Sequence, residues 1–191
     1  MKKLFKNLPF VVLILVATAV SAQKGKTVDY EAPAMPVNEE SNLISYGAVI
    51  DEKASKDELY KRAMNFMNSN YKNPRDVVKV QDNAKGEIEA MHRFKIFNPE
   101  GKDGVKGDAG MVTYTLNILL KDGKYKYEFS NITWKQASAY GIEKWMDKTS
   151  PSYKPNFDYY LIQTDEEMKD LEAKFKAAMK ISSVEEKKAD W

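Results

Sequence analysis

The sequence predicts an α+β fold: a curved antiparallel sheet of about five strands with two helices on one face, in the order β-α-β-β-β-β-α. Three observations carry this. Several stretches between Val77 and Phe129 alternate apolar and polar side chains with period two, the mark of a sheet with one buried face. Asp122-Gly123 separates two of them as a tight hairpin turn. Two other stretches carry apolar residues at helical spacing, each opened by a capping box.

The chain begins outside that fold. Lys2, Lys3 and Lys6 precede an apolar run from Leu8 to Val20, which ends in Val20-Ser21-Ala22. A positive start, a short apolar run and a small-residue site make a secretory signal peptide over 1–22, cleaved after Ala22. The run is about 13 residues, below the ~18–20 that cross a bilayer as a helix. A bacterial lipoprotein leader needs a cysteine, and the sequence has none. The expectation is an exported, periplasmic or extracellular protein with no transmembrane anchor after cleavage.

The formal charge of +2 belongs to that leader. Its three lysines leave a mature chain with 27 basic and 28 acidic residues, a net of −1. This balance argues against electrostatic binding to nucleic acid. The missing cysteine excludes disulfides, a thiol nucleophile and Cys-ligated zinc. One histidine leaves little room for a His-rich metal site or a His-based triad. No metal, cofactor or catalytic residue is assigned. The 169 remaining residues form one domain, large enough to bury ~70% of the unfolded chain's surface.

Residues 23–41 hold two prolines and no sustained period, and read as a flexible linker. The domain is expected over 42–187, with a frayed tail at 188–191. Leu43 to Ile50 is the first strand. Ser55-Lys56-Asp57-Glu58 is the first capping box. Behind it Leu59, Ala63, Phe66 and Met67 share a helical stripe that ends near Tyr71, ahead of Asn73-Pro74.

Registers follow from the turns. A two-residue loop at Asp122-Gly123 pairs Leu120 with Tyr125, Ile118 with Tyr127 and Leu116 with Phe129. All are apolar and on one face, and a one-residue slip opposes apolar to charged residues. A five-residue loop from Asp82 to Gly86 pairs Val80 with Ile88 and Val78 with Ala90. Setting Phe94 opposite Tyr114 places Arg93 beside Thr115, Lys95 beside Thr113 and Met91 beside Asn117. The alternation changes phase near Ser130, which predicts a bulge. Residues 135–163 are irregular, with a short helix around Ile142 to Met146. Thr164-Asp165-Glu166-Glu167 reads as the second capping box, opening a helix with Met168, Leu171, Phe175, Ala178 and Met179 on one stripe.

Several local patterns resemble a known family. They are S-K-D-E-L-Y-x-R-A (Ser55 to Ala63), D-x-x-x-G-E-I (Asp82 to Ile88), and A-G-M-V-T-Y-T-L running into L-K-D-G-K-Y (Ala109 to Tyr125). The chain from about residue 43 to 135 is similar to a domain-of-unknown-function family of exported bacterial proteins, described as having a TATA-binding-protein-like (TBP-like) fold. The resemblance implies the fold and no chemistry. The fold name describes topology and does not imply DNA binding.

Two groups of side chains are candidates for ligand binding. The exposed sheet face offers Arg93, Lys95, Thr115, Asn117 and Glu128, a polar face of mixed charge. Residues 134–160 hold seven aromatics, among them Tyr140 and Trp145, which suit a stacking platform or a cap on the core. The glycine-rich loop Asn98 to Gly110 lacks phosphate-loop and EF-hand spacing and reads as a hairpin tip. His92 shares the parity of Phe94 and Ile96 and is expected to point inward. The function expected is a non-enzymatic binding or interaction module of the bacterial cell envelope, with an envelope protein, peptide or glycan as partner. The alternative is an envelope-polymer hydrolase using carboxylates.

Overall fold

The computed structural model describes residues 29–135 and 138–182. The expected leader, residues 23–28 of the expected linker and the tail lie outside the described residues. In chain order the elements are β1 (Tyr46–Asp51), α1 (Lys56–Asn70), α2 (Pro74–Val77), β2 (Val78–Asp82), β3 (Glu87–Phe97), β4 (Asp108–Lys121), β5 (Lys124–Lys135), β6 (Ala139–Gly141), a 3-10 turn (Ile142–Trp145) and α3 (Asn156–Ala178). One antiparallel sheet runs β1-β5-β4-β3-β2, with β6 also paired to β5. The fold is α+β as expected, with α1 and α3 packed on the apolar face.

Period two builds that face. Ile88, Ala90, Val112, Tyr114, Leu116, Ile118, Leu120, Tyr125, Tyr127 and Phe129 are all buried. Phe175 of α3 sits at the centre of this layer. Its ring lies 5.2 Å from both Phe66 of α1 and Tyr127, and 5.9 Å from Tyr125. Arg62 ties the helices together. Its Nη1 donates to the Met179 carbonyl at the end of α3 (2.8 Å), and its Nε donates to Glu58 (3.0 Å). A helix end leaves its last carbonyls without intrahelical partners, and the guanidinium supplies one.

The Asp122-Gly123 hairpin has the expected register, Leu120 to Tyr125, Ile118 to Tyr127 and Leu116 to Phe129. The bulge near Ser130 is also present, where the β4–β5 register shifts and Asn131 takes φ 51°. Ser55 caps α1, its Oγ accepting from the Glu58 N–H at 3.3 Å.

Other registers need correction. Phe94 pairs with Val112, and Tyr114 faces His92, so Arg93 lies beside Thr113, Lys95 beside Met111 and Met91 beside Thr115. The slip is two residues, which leaves every side chain on its expected face. Asp82 pairs with Glu87, so the β2–β3 loop is one residue shorter than expected. A bulge at Lys79 then restores Val78 to Ala90, while Val80 meets Glu89 and turns to solvent. β1 starts at Tyr46; Ile44 makes an isolated bridge to Val37 instead. Asn73-Pro74 ends α1 and then opens the short α2, with proline in its first turn.

The second capping box is not a cap. α3 opens at Asn156, and Thr164 lies inside it, fully buried, with its hydroxyl donating to the Tyr160 carbonyl one turn back (2.8 Å). Phe157, Tyr160, Leu161, Thr164, Met168, Leu171 and Phe175 form one continuous buried stripe.

Two turn glycines allow a paired test. Gly86 and Gly123 both hold positive φ, 72° and 79°. A Cβ on Gly86 meets the Leu120 carbonyl oxygen at 2.4 Å, whereas a Cβ on Gly123 meets nothing within 4 Å. Gly123→Ala is expected to cost about 1–2 kcal/mol, the left-handed penalty alone. Gly86→Ala adds a backbone clash and is expected to cost about 3 kcal/mol or more. Urea unfolding of both variants checks this; equal losses would mean that the Leu120 backbone yields freely.

Candidate binding site

The register settles which candidates meet. On the outer face, Asn117 lies between Glu89 and Glu128, Thr115 between Met91 and Ser130, and Thr113 between Arg93 and Thr133. Lys95 pairs with Asp108 at 2.8 Å, and Lys126 approaches Glu128 at 4.0 Å. Thr115 is buried beneath its neighbours. Val49, Val80, Met91 and Leu119 stand exposed among these polar groups. This face is a mixed polar surface broken by single apolar side chains.

Tyr140 and Trp145 lie elsewhere. Tyr140 pairs with Trp134, which pairs with Val112 and so with Phe94. That row has inner parity, so Tyr140 belongs to the face opposite Arg93, Lys95, Asn117 and Glu128. The expected set therefore divides into two surfaces.

Trp145 is fully buried. Its ring is 5.7 Å from both Trp134 and Phe157 and 5.5 Å from Tyr160. The indole N–H donates to the Tyr140 hydroxyl at 3.1 Å, which satisfies a polar group that burial would otherwise leave costly. Trp134 is held likewise, its N–H donating to the Ala109 carbonyl at 2.7 Å. These aromatics fasten β6 and the 3-10 turn onto α3.

Above them opens a pocket of about 400 Å³. Trp145 and Phe157 form its floor, Tyr140 one wall, and Lys144, Asp147, Ser150 and Ser152 its rim. The Lys144 ammonium lies 5.5 Å from the centre of the Tyr140 ring, a cation–π contact that leaves its remaining N–H donors for a ligand. Hydrogen bonds from the Thr149 hydroxyl and N–H hold the Asp147 carboxyl below the usual carboxylate range, so it is anionic at neutral pH. The rim thus carries a cation, an anion and two hydroxyls beside the half-buried Tyr140 ring. That combination suits a polar ligand with a flat apolar side. The rim residues come from the turn and the loop that follows it, where no periodicity marks them; Tyr140 and Trp145 gave the only signal.

Two other titratable groups, one half-buried and one buried, stand near these surfaces. His92 points inward as expected, its ring 4.9 Å from Tyr71, whose hydroxyl meets that of Tyr114 at 3.0 Å. Burial, and then the Arg93 charge, pushes the imidazole below its ordinary value, so it is neutral at pH 7. Asp158, almost wholly buried in the first turn of α3, accepts from Lys148 at 2.7 Å through Oδ2. Its Oδ1 has no hydrogen-bond partner among the described residues.

Residues 47–135 match the family model described as a domain of unknown function (DUF4468) with TBP-like fold. Over that segment the chain is similar to the DUF4468 family. That segment covers β1 to β5 and holds Arg93, Lys95, Thr115, Asn117 and Glu128 of the outer face, while the pocket residues follow it in sequence. A crystal structure of a DUF4468 family protein from Bacteroides ovatus is similar over 82% of this chain and 97% of that one, with a TM-score of 0.62 and 16% identity. A TBP-like protein from Parabacteroides distasonis is similar over 73% of this chain and 94% of that one, with a TM-score of 0.55 and 17% identity. These likenesses establish the DUF4468 fold and nothing of activity. No curated protein matches the sequence.

Proposed function

We propose that this protein is a non-enzymatic binding module of the bacterial cell envelope, which takes a short segment of an envelope polymer, glycan or peptide, into the pocket at Tyr140. The observation that carries the reading is the pocket itself, walled by the half-buried Tyr140 ring, closed below by the core side chains Phe157 and Trp145, and rimmed by Lys144, Asp147, Ser150 and Ser152. The signal-peptide pattern ending at Ala22 supports export, and no helix among the described residues is long and apolar enough to cross a membrane. Hydrolysis by paired carboxylates needs two acids across the scissile bond; the described lining of this pocket supplies one, Asp147.

The test is a screen of residues 23–191 against envelope glycans and peptides, followed by titration of any hit. Tyr140→Ala and Lys144→Glu are each expected to weaken binding about tenfold or more. Lys144→Glu should leave the unfolding midpoint nearly unchanged, because the residue is exposed. A ligand bound equally well by both variants would place the site elsewhere, and a screen without hits would remove the proposal.

A further inference from the structure

The two long edges of the sheet are closed differently. Away from β4, β5 carries β1 along Lys124–Phe129 and β6 along Thr133–Lys135. β3 carries β2 along Glu87–Ala90 alone. From Met91 to Phe97, β3 has β4 on one side and no strand on the other among the described residues.

The direction of its hydrogen-bonding groups follows from the bonds made at the two ends of the strand. In an antiparallel strand the N–H and C=O of a residue point the same way, alternating along the chain. The Gly86 carbonyl accepts from Leu120 of β4, and the Asn98 N–H donates to the Gly107 carbonyl. Even-numbered residues of β3 therefore face β4, and odd-numbered residues face outward. Phe97 is one of the outward residues, and a side chain of α3 takes both of its groups. Its N–H donates to Gln163 Oε1 at 3.0 Å, and its carbonyl accepts from Gln163 Nε2 at 2.9 Å. A glutamine amide thus stands where a strand backbone would. Arg93 and Lys95 present the same outward pair with no strand against them.

A groove runs along this edge. Between Phe94–Phe97 and the α3 residues Gln163, Glu166, Glu167 and Asp170 lies a depression of about 300 Å³. A second, of about 170 Å³, continues it past His92 and shares Phe94 and Glu167 with the first. Charge divides by side. On the outer face lie Arg93 and Lys95, the latter paired with Asp108; the side toward α3 is lined by Glu166, Glu167 and Asp170, the last paired with Lys174 at 2.6 Å, which leaves Arg93 on one side and Glu166 and Glu167 on the other as the main charges. A strand laid on this edge sends alternate side chains to the two sides, so it meets cations on one and carboxylates on the other.

We propose that the open edge of β3 takes an extended peptide strand of a partner protein, with acidic side chains facing Arg93 and Lys95 and basic side chains facing α3. The strand adds to the sheet by backbone hydrogen bonds to Arg93 and Lys95, and the charge alternation gives specificity. Edge-to-edge pairing of two copies instead sets Arg93 and Lys95 against their own counterparts, where like charges repel. The site is distinct from the pocket at Tyr140.

The probe is an octapeptide of alternating Lys and Glu, with a block peptide of the same composition as control, titrated into the isotope-labelled mature chain. The alternating peptide is expected to shift the Arg93 and Lys95 amides and slow their hydrogen exchange. Lys95→Pro removes an outward N–H and leaves the groups facing β4 in place. It is expected to weaken binding about tenfold, and Lys95→Ala by less. Glu167→Lys is expected to weaken it too, and keeps the test available if the proline variant does not fold. Equal binding of the block peptide, unmoved Arg93 and Lys95 amides, or Lys95→Pro binding as well as Lys95→Ala would overturn the proposal. A dimer of the protein that Lys95→Pro dissolves would overturn the partner in favour of a second copy.

Discussion

Trp145→Ala is expected to lower the stability of this protein by about 3–5 kcal/mol, the range for removing a buried aromatic from a packed core. For a chain of this size that is a fall of roughly 6–20 °C in the unfolding midpoint. The magnitude comes from position. Trp145 has no exposed surface, and it touches Trp134 of β5, Phe157 and Tyr160 of α3, and the hydroxyl of Tyr140. The corner cannot close over the gap, because Trp134 is held by its own hydrogen bond to Ala109 and the α3 rings are fixed on a helix. Lys144→Ala, one residue earlier and exposed, is expected to move stability by no more than about 0.5 kcal/mol. Thermal unfolding of both variants checks the contrast. A wild-type midpoint for Trp145→Ala would mean that the aromatic corner does not hold the fold. Binding at this pocket is therefore read from Lys144, and from Tyr140→Phe rather than a larger truncation only where its unfolding midpoint is kept, since the Tyr140 hydroxyl also holds the Trp145 N–H.

The sequence shows its β4–β5 hairpin clearly because two constraints coincide there. Asp122-Gly123 fixes the loop length, and a slip by one residue would turn Tyr125, Tyr127 and Phe129 to solvent. The β3–β4 pairing lacks both constraints. A shift of two residues leaves a period-two pattern unchanged, so Phe94 fits Val112 or Tyr114 equally well by polarity. The connecting loop is long, and β4 absorbs an extra residue near Ala109, where Ile96 pairs with Gly110 and Phe97 with Asp108. Thr164 misleads for a different reason. A threonine followed by acids has the look of a cap, but the same hydroxyl can donate to a carbonyl one turn back inside a helix, and the true start of α3 carries no side-chain cap.

The candidate site was legible only in part for the same physical reasons. Tyr140 and Trp145 draw notice as aromatics in a stretch without period. Their separation from Arg93 and Glu128 depends on the bulge at Asn131, which changes the parity of β5 before Trp134. The rim formed by Lys144, Asp147, Ser150 and Ser152 depends on the path of an irregular loop, and no pattern in the residues encodes that path. The open edge of β3 is a property of pairing: it exists because β2 stops at Val78 while β3 continues to Phe97.

A second large effect is expected in alkali. Burial raises the phenols of Tyr46, Tyr114 and Tyr127 well above the ordinary tyrosine value, and the neighbours of each raise it further. The Tyr46 hydroxyl donates to Asp165 at 2.9 Å and the Tyr127 hydroxyl to Glu172 at 2.6 Å, so ionisation would set two anions together. Tyr114 shares its hydrogen bond with Tyr71 at 3.0 Å. In the unfolded chain each phenol loses its proton near pH 10, while in the fold it keeps it. The unfolded state then binds fewer protons, so stability is complete below about pH 10 and falls above it. The slope is about 1.4 kcal/mol per pH unit for each phenol that stays neutral in the fold, with the smallest share from Tyr127, whose partner Glu172 is nearest solvent. A domain of ordinary stability, about 5–15 kcal/mol, is expected to unfold cooperatively within roughly two to four pH units of that point, and the tyrosinate absorbance of these buried phenols should appear with unfolding. Urea midpoints measured at rising pH check this. Tyr46→Phe should flatten the slope by about one phenol, while Asp165 keeps its 2.7 Å contact to Lys169. Stability that stays level through about pH 12, or tyrosinate forming ahead of unfolding in more than the five of eleven tyrosines that lie outside the buried core, would show that these phenols are open to solvent and that the hydroxyl pairs do not close the core.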